Sequence, residues 1–109
     1  MTILTADVRF HDGYSVVRVA GELDVNTTST LLDAMETALS NRPRFVEIDV
    51  AALTFCGSEG LRALLHVQRA ALQAGCRLRL CHVHGVLQRV LDVTQLYKAF
   101  TIDPVQVPR

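Results

Sequence analysis

Residues 45–75 read FVEIDVAALTFCGSEGLRALLHVQRAALQAG, and this segment contains the clearest strand and helix patterns of the chain. From Val46 to Val50 apolar residues alternate with Glu47 and Asp49, a period of two that predicts a β-strand over residues 45–50. From Ser58 to Ala74 apolar residues recur at helical spacing, and Gly75 is the predicted C-terminal cap. Residues 54–60 are predicted to form the turn between this strand and this helix. The apolar stripe of the helix is expected to contain Leu61, Leu64, Leu65 and Leu72.

A hairpin and a first helix are predicted upstream of this unit. Asp12-Gly13 lies between two β-forming segments, and glycine accepts the positive φ of a tight hairpin turn. Residues 26–29 (Asn-Thr-Thr-Ser) all have side chains that can cap a helix, and apolar residues follow at helical spacing over residues 31–39. We expect this helix to end around Asn41, before Pro43, because proline cannot continue the helical hydrogen bonds.

The segment downstream of Gly75 predicts one more strand and one more helix. Residues 77–82 alternate again, which indicates a strand whose arginines face outward. Apolar residues over 86–91 predict a short helix, and residues 96–100 are expected to dock against the domain as a final segment. Residues 103–109 contain two prolines and are expected to fray.

The order of these elements indicates an α/β fold. Consecutive parallel strands need crossover helices between them, whereas a hairpin joins antiparallel strands. We therefore expect a mixed, mostly parallel sheet with an N-terminal antiparallel hairpin and with helices packed against it. The prediction is one small domain over residues 1–109, with its core at residues 5–102. In such sheets functional residues tend to lie at strand ends and helix N-termini.

Composition narrows the classes of function. The 109 residues include 11 Lys and Arg and 11 Asp and Glu, so the net charge is zero. This balance disfavours direct binding to nucleic acids, which usually requires a basic surface. No apolar run approaches the roughly 18 residues of a membrane span, and the N-terminus lacks the features of a signal peptide. We expect a cytoplasmic protein without a membrane partner.

The three cysteines predict buried thiols in a reducing compartment, because their number is odd and each lies in an apolar segment. A metal site built from Cys76, Cys81, His82 and His84 is a weaker interpretation. Along a strand Cys81 points to the opposite face from the other three, so the four side chains are not expected to converge. The sequence therefore predicts neither a metal site nor a cofactor.

Three segments carry a resemblance to a known family: VAGELD at residues 19–24, EIDV at residues 47–50 and LTFCGSEGL at residues 53–61. Together they resemble the STAS-domain anti-sigma factor antagonists of bacteria, and the similarity extends over nearly the whole chain. The resemblance implies a non-enzymatic regulator that binds an anti-sigma factor and releases the sigma factor. In that family the anti-sigma factor is a serine kinase of the histidine-kinase-like ATPase fold, and phosphorylation of the antagonist ends the binding.

The resemblance also implies the residues of the phosphorylation switch. The family's phosphoacceptor serine directly follows an aspartate, and the matching residue here is Ser58, although Gly57 occupies the aspartate position. Phe55, Cys56, Gly60 and Leu61 fit the family pattern, whereas Glu59 replaces a small residue. The partner-binding residues implied in this way are Asp24, Phe55, Gly57, Ser58, Glu59, Gly60, Leu61 and Arg62. A phosphatase that acts on Ser58 would complete the cycle. The sequence does not decide whether the chain forms a homodimer.

The chemistry of a helix N-terminus supports this interpretation of Ser58. Unpaired N–H groups and the positive end of the helix dipole favour negative charge there, so the fold would tolerate a phosphate. Gly57 removes a carboxylate that could orient the hydroxyl or the kinase, and Glu59 places one two positions later. Our hypothesis is that Ser58 is phosphorylated slowly or by an unusual kinase.

Several alternatives remain open at this point. Ser58 is also a good helix cap and Asp24 a good turn residue. Cys56, close to a helix N-terminus, is either a thiol with a lowered pKa or a small core residue. The chain could instead be a STAS-like subunit of a lipid-transport or stress-sensing complex, without phosphorylation. A small enzyme with Ser58 or Cys56 as nucleophile is disfavoured, because CGSEG lacks the first glycine of the Gly-x-Ser-x-Gly motif.

Overall fold

The computed structural model describes residues 2–102, and in this range the chain forms five strands and three α-helices. The strands are β1 (Leu4–His11), β2 (Tyr14–Leu23), β3 (Phe45–Cys56), β4 (Arg77–Cys81) and β5 (Thr101–Ile102). The helices are α1 (Thr28–Leu39), α2 (Ser58–Gln73) and α3 (Gly85–Thr94), and a short 3-10 helix spans Leu96–Ala99. The predicted fraying of residues 103–109 lies outside the described residues.

The five strands form one sheet in the order β1-β2-β3-β4-β5. β1 and β2 are antiparallel and joined by the predicted Asp12-Gly13 turn, with Gly13 at φ +85°. All other neighbours are parallel, with α1 connecting β2 to β3 and α2 connecting β3 to β4. The predicted α/β fold with a mixed sheet is therefore confirmed, and the two-residue β5 is a strand that the sequence did not predict.

One face of the sheet forms the hydrophobic core. In register across three strands, Val17, Ile48 and Leu80 are completely buried. α1 packs against β1, β2 and α2, whereas α2 also contacts β3 and β4. The buried Ser15 hydroxyl donates a 3.0 Å hydrogen bond to the Ala38 carbonyl and so ties β2 to α1. None of the helices in residues 2–102 combines the length and apolar character needed to span a membrane.

The strand β3 is longer than its sequence predicts. The periodicity ends near Val50 and residues 54–60 are expected to form a turn, but the strand continues to Cys56 and only Gly57 separates it from α2. Pairing with β2 maintains the extension: after register shifts, Leu53 pairs with Gly21 and Cys56 with Leu23. This prediction of the turn is therefore wrong, because non-local pairing rather than local periodicity determines where the strand ends.

The helix α2 matches its prediction within one residue at each end. Its apolar stripe differs at Leu72, which is 61% exposed, whereas the neighbouring Ala71 and the preceding Val67 are buried. The buried face follows Leu64, Val67 and Ala71, a spacing of three and four residues that leaves Leu72 outside it. α1 ends at Leu39, slightly before the predicted end.

Candidate functional site

Ser58 lies at the first position of α2, where the carboxyl end of β3 meets the end of β2. Gly57 is the N-cap residue, with an extended backbone conformation. Its N–H donates a 3.1 Å hydrogen bond to the Leu23 carbonyl, and its own carbonyl accepts the Leu61 N–H at 2.9 Å. These two bonds fix the start of α2 relative to both strands and leave the Ser58 side chain exposed.

The first turn of α2 packs directly on the end of β2. A Cβ at Gly60 would lie 2.6 Å from the Leu23 carbonyl oxygen and 2.8 Å from Leu23 Cγ. Leu61 is also buried, at 7% exposure. Gly60 and Leu61 are among the residues implied as partner contacts, but both lie below the surface. Their packing against β2 and the core positions the first turn of α2.

The exposed and half-buried side chains at this edge form a surface that we call the switch surface. It consists of Asp24, Val25, Phe55, Ser58, Glu59 and Arg62. Two of its members are apolar yet exposed, Val25 at 65% and Phe55 at 43%. The sequence interpretation missed Val25, although an apolar residue directly after Asp24 in a predicted loop was a usable signal. An apolar centre with charged neighbours is typical of a protein-binding surface.

The two charged members of α2 interact weakly. Arg62 Nη2 lies 3.9 Å from Glu59 Oε1, and the Arg62 side chain is largely exposed. An ion pair of this length between exposed groups contributes little to stability. Both side chains are therefore available to a partner.

Asp24 organises the loop between β2 and α1. Its Oδ1 accepts the Asn26 N–H at 2.9 Å and the Thr2 hydroxyl at 3.3 Å. The Asp24 N–H in turn donates to Thr27 Oγ1 at 3.0 Å. The turn role that the sequence allowed for Asp24 is thus present, and its half-buried carboxylate is also part of the switch surface. Thr27 occupies the N-cap position of α1 but donates its hydroxyl to the Glu22 carbonyl at 2.8 Å instead of capping the helix.

The interpretation of Ser58 as a helix cap is wrong. The cap position belongs to Gly57, and within residues 2–102 no side chain forms a cap hydrogen bond at the start of α2. The first N–H groups of an α-helix have no acceptor within the helix. This N-terminus therefore presents backbone donors beside an exposed serine hydroxyl, with Glu59 as the acidic residue of the first turn.

Cys56 lies below the switch surface as a core residue, at 3% exposure. Burial raises the pKa of its thiol to about 11, so the hypothesis of a lowered pKa is wrong. The histidine ring hydrogen bonds seen in the described part of the chain join His82 to Asp49 and His84 to Ala51, and neither involves Ser58. A protonated thiol and a serine without a histidine base do not form an activated nucleophile.

Comparisons with known proteins agree with this fold. A family model described as "Mlab, STAS domain" matches residues 6–102. The chain is 29% identical over 100 residues to an anti-sigma F factor antagonist of Paenibacillus polymyxa, covering 91% of this chain and 86% of that protein. It is 31% identical to an anti-sigma factor antagonist from Mycobacterium paratuberculosis whose crystal structure superposes with a TM-score of 0.81, covering 94% of this chain and 87% of that one.

A more distant structure shares the fold. SpoIIAA, an anti-sigma factor antagonist solved in its unphosphorylated form, has a TM-score of 0.73 at 17% identity. The alignment covers 94% of this chain and 90% of that chain. The fold of this chain therefore persists at low sequence identity.

Proposed function

This chain belongs to the STAS domain family, and we propose that it is an anti-sigma factor antagonist that works in the cytoplasm. It binds a serine-kinase-type anti-sigma factor through the switch surface and thereby releases the sigma factor. The observation that carries the proposal is the exposed Ser58 at the first position of α2. Relatives at 29% and 31% identity, aligned over most of their length, are named for this activity and support it.

Phosphorylation of Ser58 is the proposed off-switch. A phosphate adds about −1.5 to −2 charges at neutral pH. At the N-terminus of α2 the backbone donors and the helix dipole stabilise this charge, so the domain stays folded. Val25 and Phe55 lie exposed at the same edge. A partner that buries them would have to desolvate the phosphate, and binding is lost for that reason.

Gly57 and Glu59 set the rate of this modification. Glu59 places a carboxylate next to the phosphate. Arg62 Nη2 lies 3.9 Å from Glu59 Oε1, so the guanidinium offsets the carboxylate charge only in part. Gly57 lacks the carboxylate that relatives of this family carry before the serine. We therefore expect the cognate kinase to phosphorylate Ser58 slowly, and a phosphatase to restore the binding form.

The test uses the purified chain, each candidate anti-sigma kinase encoded by the same organism, and Mg-ATP. Intact mass spectrometry should show one added phosphate on the wild type and none on Ser58→Ala. Ser29→Ala is the matched control, because Ser29 is also an exposed serine in the first turn of a helix. A phosphate that persists in Ser58→Ala and disappears in Ser29→Ala would refute the assignment.

A second candidate function is favoured by Gly57, which removes the family's acidic residue from the switch. Under this alternative the chain is a STAS-like subunit of a lipid-transport or stress-sensing complex and is not phosphorylated. The same experiment separates the two candidates. A chain that neither binds nor is phosphorylated by any candidate kinase supports the alternative, whereas stable binding without phosphorylation indicates a constitutive antagonist.

A further inference from the structure

Three potential metal ligands converge on β3 and β4, away from the switch surface. Asp49 and Cys81 are register partners on the two parallel strands, and His82 directly follows β4. A carboxylate oxygen of Asp49, the Cys81 sulfur and a ring nitrogen of His82 all lie within 4.8 Å of one another. His82 Nδ1 lies 3.1 Å from Asp49 Oδ1.

The backbone at His82 explains why the sequence did not predict this cluster. The alternation of a strand places Cys81 and His82 on opposite faces, but His82 has φ +62°. A left-handed residue ends the alternation and turns the ring back toward Asp49. Histidine is enriched among the non-glycine residues that adopt this conformation. The expectation that Cys81 and His82 do not converge is therefore wrong, whereas Cys76 and His84 lie outside the cluster.

The carboxylate of Asp49 is held in place before any ion binds. Asp49 is buried, at 8% exposure. Its Oδ1 accepts the Ala51 N–H at 3.0 Å, and its Oδ2 lies 3.4 Å from Arg18 Nε. Hydrogen bonds to a ligand from outside the coordination sphere orient it and strengthen metal binding. His82, by contrast, is more than half exposed and gives an ion access from solvent.

We propose that Asp49, Cys81 and His82 bind one transition-metal ion of the Zn²⁺ class. Ligand bonds of about 2.0–2.1 Å in a tetrahedral site separate nitrogen and oxygen by about 3.3 Å, close to the 3.1 Å between His82 Nδ1 and Asp49 Oδ1. Sulfur and imidazole ligands select Zn²⁺ or Co²⁺ over Mg²⁺ or Ca²⁺. The thiol loses its proton on binding, and a water molecule completes the four ligands.

The test titrates the chelator-treated full chain with Co²⁺ under reducing conditions. We expect one Co²⁺ per chain, with a thiolate-to-cobalt charge-transfer band and the intense visible absorption of a four-coordinate ion. Zn²⁺ should displace it. Cys81→Ser should lose the charge-transfer band, and Asp49→Asn and His82→Asn should weaken binding by at least about tenfold. Asparagine suits position 82 because it tolerates a positive φ.

Matched controls keep this result interpretable. Cys76→Ser removes another buried thiol and His84→Asn another exposed histidine near β4, and both should bind Co²⁺ like the wild type. If Cys81→Ser does not fold, the exposed His82→Asn decides. A wild type without a thiolate-to-cobalt band, or a His82→Asn variant with unchanged affinity, would overturn the proposal. The assay needs neither kinase nor ATP, so its failure leaves the proposed function unaffected.

Discussion

The two ends of α2 are built in opposite ways. At the N-terminus Gly57 supplies no side chain to cap the helix, and Ser58 is exposed beside backbone donors. At the C-terminus the chain closes on itself: Gly75 N–H donates to the Leu72 carbonyl at 3.0 Å, and Cys76 N–H to the Ala71 carbonyl at 2.8 Å. This pair of bonds is the Schellman motif. This helix therefore satisfies its C-terminal carbonyl groups internally, whereas its N-terminal backbone donors have no side-chain cap among the described residues.

Among substitutions at the two ends of α2, Gly60→Ala is expected to change the free energy of unfolding most. In an open helix alanine would stabilise by about 1 kcal/mol relative to glycine. Here its Cβ would lie 2.6 Å from the Leu23 carbonyl oxygen and would push the first turn away from β2. We expect the free energy of unfolding to fall by about 1–3 kcal/mol, measured by urea denaturation. A variant as stable as the wild type would show that the N-terminal turn is not anchored on β2.

At the other end, Gly75→Ala should cost about 1–2 kcal/mol of unfolding free energy, because Gly75 has φ +73° and alanine disfavours this region. Apart from its chain neighbours, no atom of residues 2–102 lies within 4 Å of a Cβ built there, so the variant tests backbone strain. Gly75→Asn is the matched variant, since asparagine tolerates positive φ and should lose less. Equal losses for alanine and asparagine in urea denaturation would contradict this explanation.

Gly57→Asp adds a side chain that can cap the N-terminus of α2. Gly57 has φ −84°, a backbone conformation that other residues adopt, and its Cβ would lie 3.3 Å from the Phe55 ring. Aspartate should cap α2 and stabilise the fold by a few tenths of a kcal/mol over glycine. If the missing carboxylate limits the kinase, the initial rate of Ser58 phosphorylation should rise. Gly57→Asn adds the cap without the charge, and an equal rate in both variants would attribute the gain to capping.

The thiols of Cys56 and Cys76, near the two ends of α2, are expected to give the smallest pH-dependent change in the free energy of unfolding near neutral pH. Burial raises the pKa of Cys56 to about 11 and also raises the pKa of Cys76. Because the unfolded chain ionises first, the stability that Cys56 contributes is fully present below pH 9.0 and is lost as pH rises toward about 11. The free energy of unfolding of the wild type should fall between pH 9.0 and about 11, and that of Cys56→Ala should fall less over the same range. Rapid iodoacetamide labelling of Cys56 at pH 7, located by peptide mapping, would contradict it.

Short-range signals explain what the sequence predicted well. The Asp12-Gly13 hairpin and the helix from Ser58 depend on local turn chemistry and helical periodicity, and both appear as expected. Gly75 was assigned to the C-terminal cap, and it follows the capping residue with the expected positive φ. Such features can be predicted because neighbouring residues decide them.

Non-local pairing explains what the sequence did not predict. The extension of β3 to Cys56 depends on its register with β2, which no local pattern encodes. The convergence of Asp49, Cys81 and His82 depends on the register of β3 with β4 and on one left-handed residue. Ser58 lies at the start of α2, as predicted. The alternative that Ser58 caps the helix is wrong, because Gly57 occupies the cap position.

The most direct test of the central claim compares the affinity of one preparation for its anti-sigma kinase before and after full phosphorylation at Ser58. Isothermal titration calorimetry gives both dissociation constants, with Ser58→Ala as the form that cannot be modified. We expect tight binding of the unmodified chain and of Ser58→Ala, and at least about hundredfold weaker binding after phosphorylation, since burying a phosphate beside Val25 and Phe55 is costly. Equal affinity of the phosphorylated and unmodified chains would contradict the assignment of Ser58 as the switch.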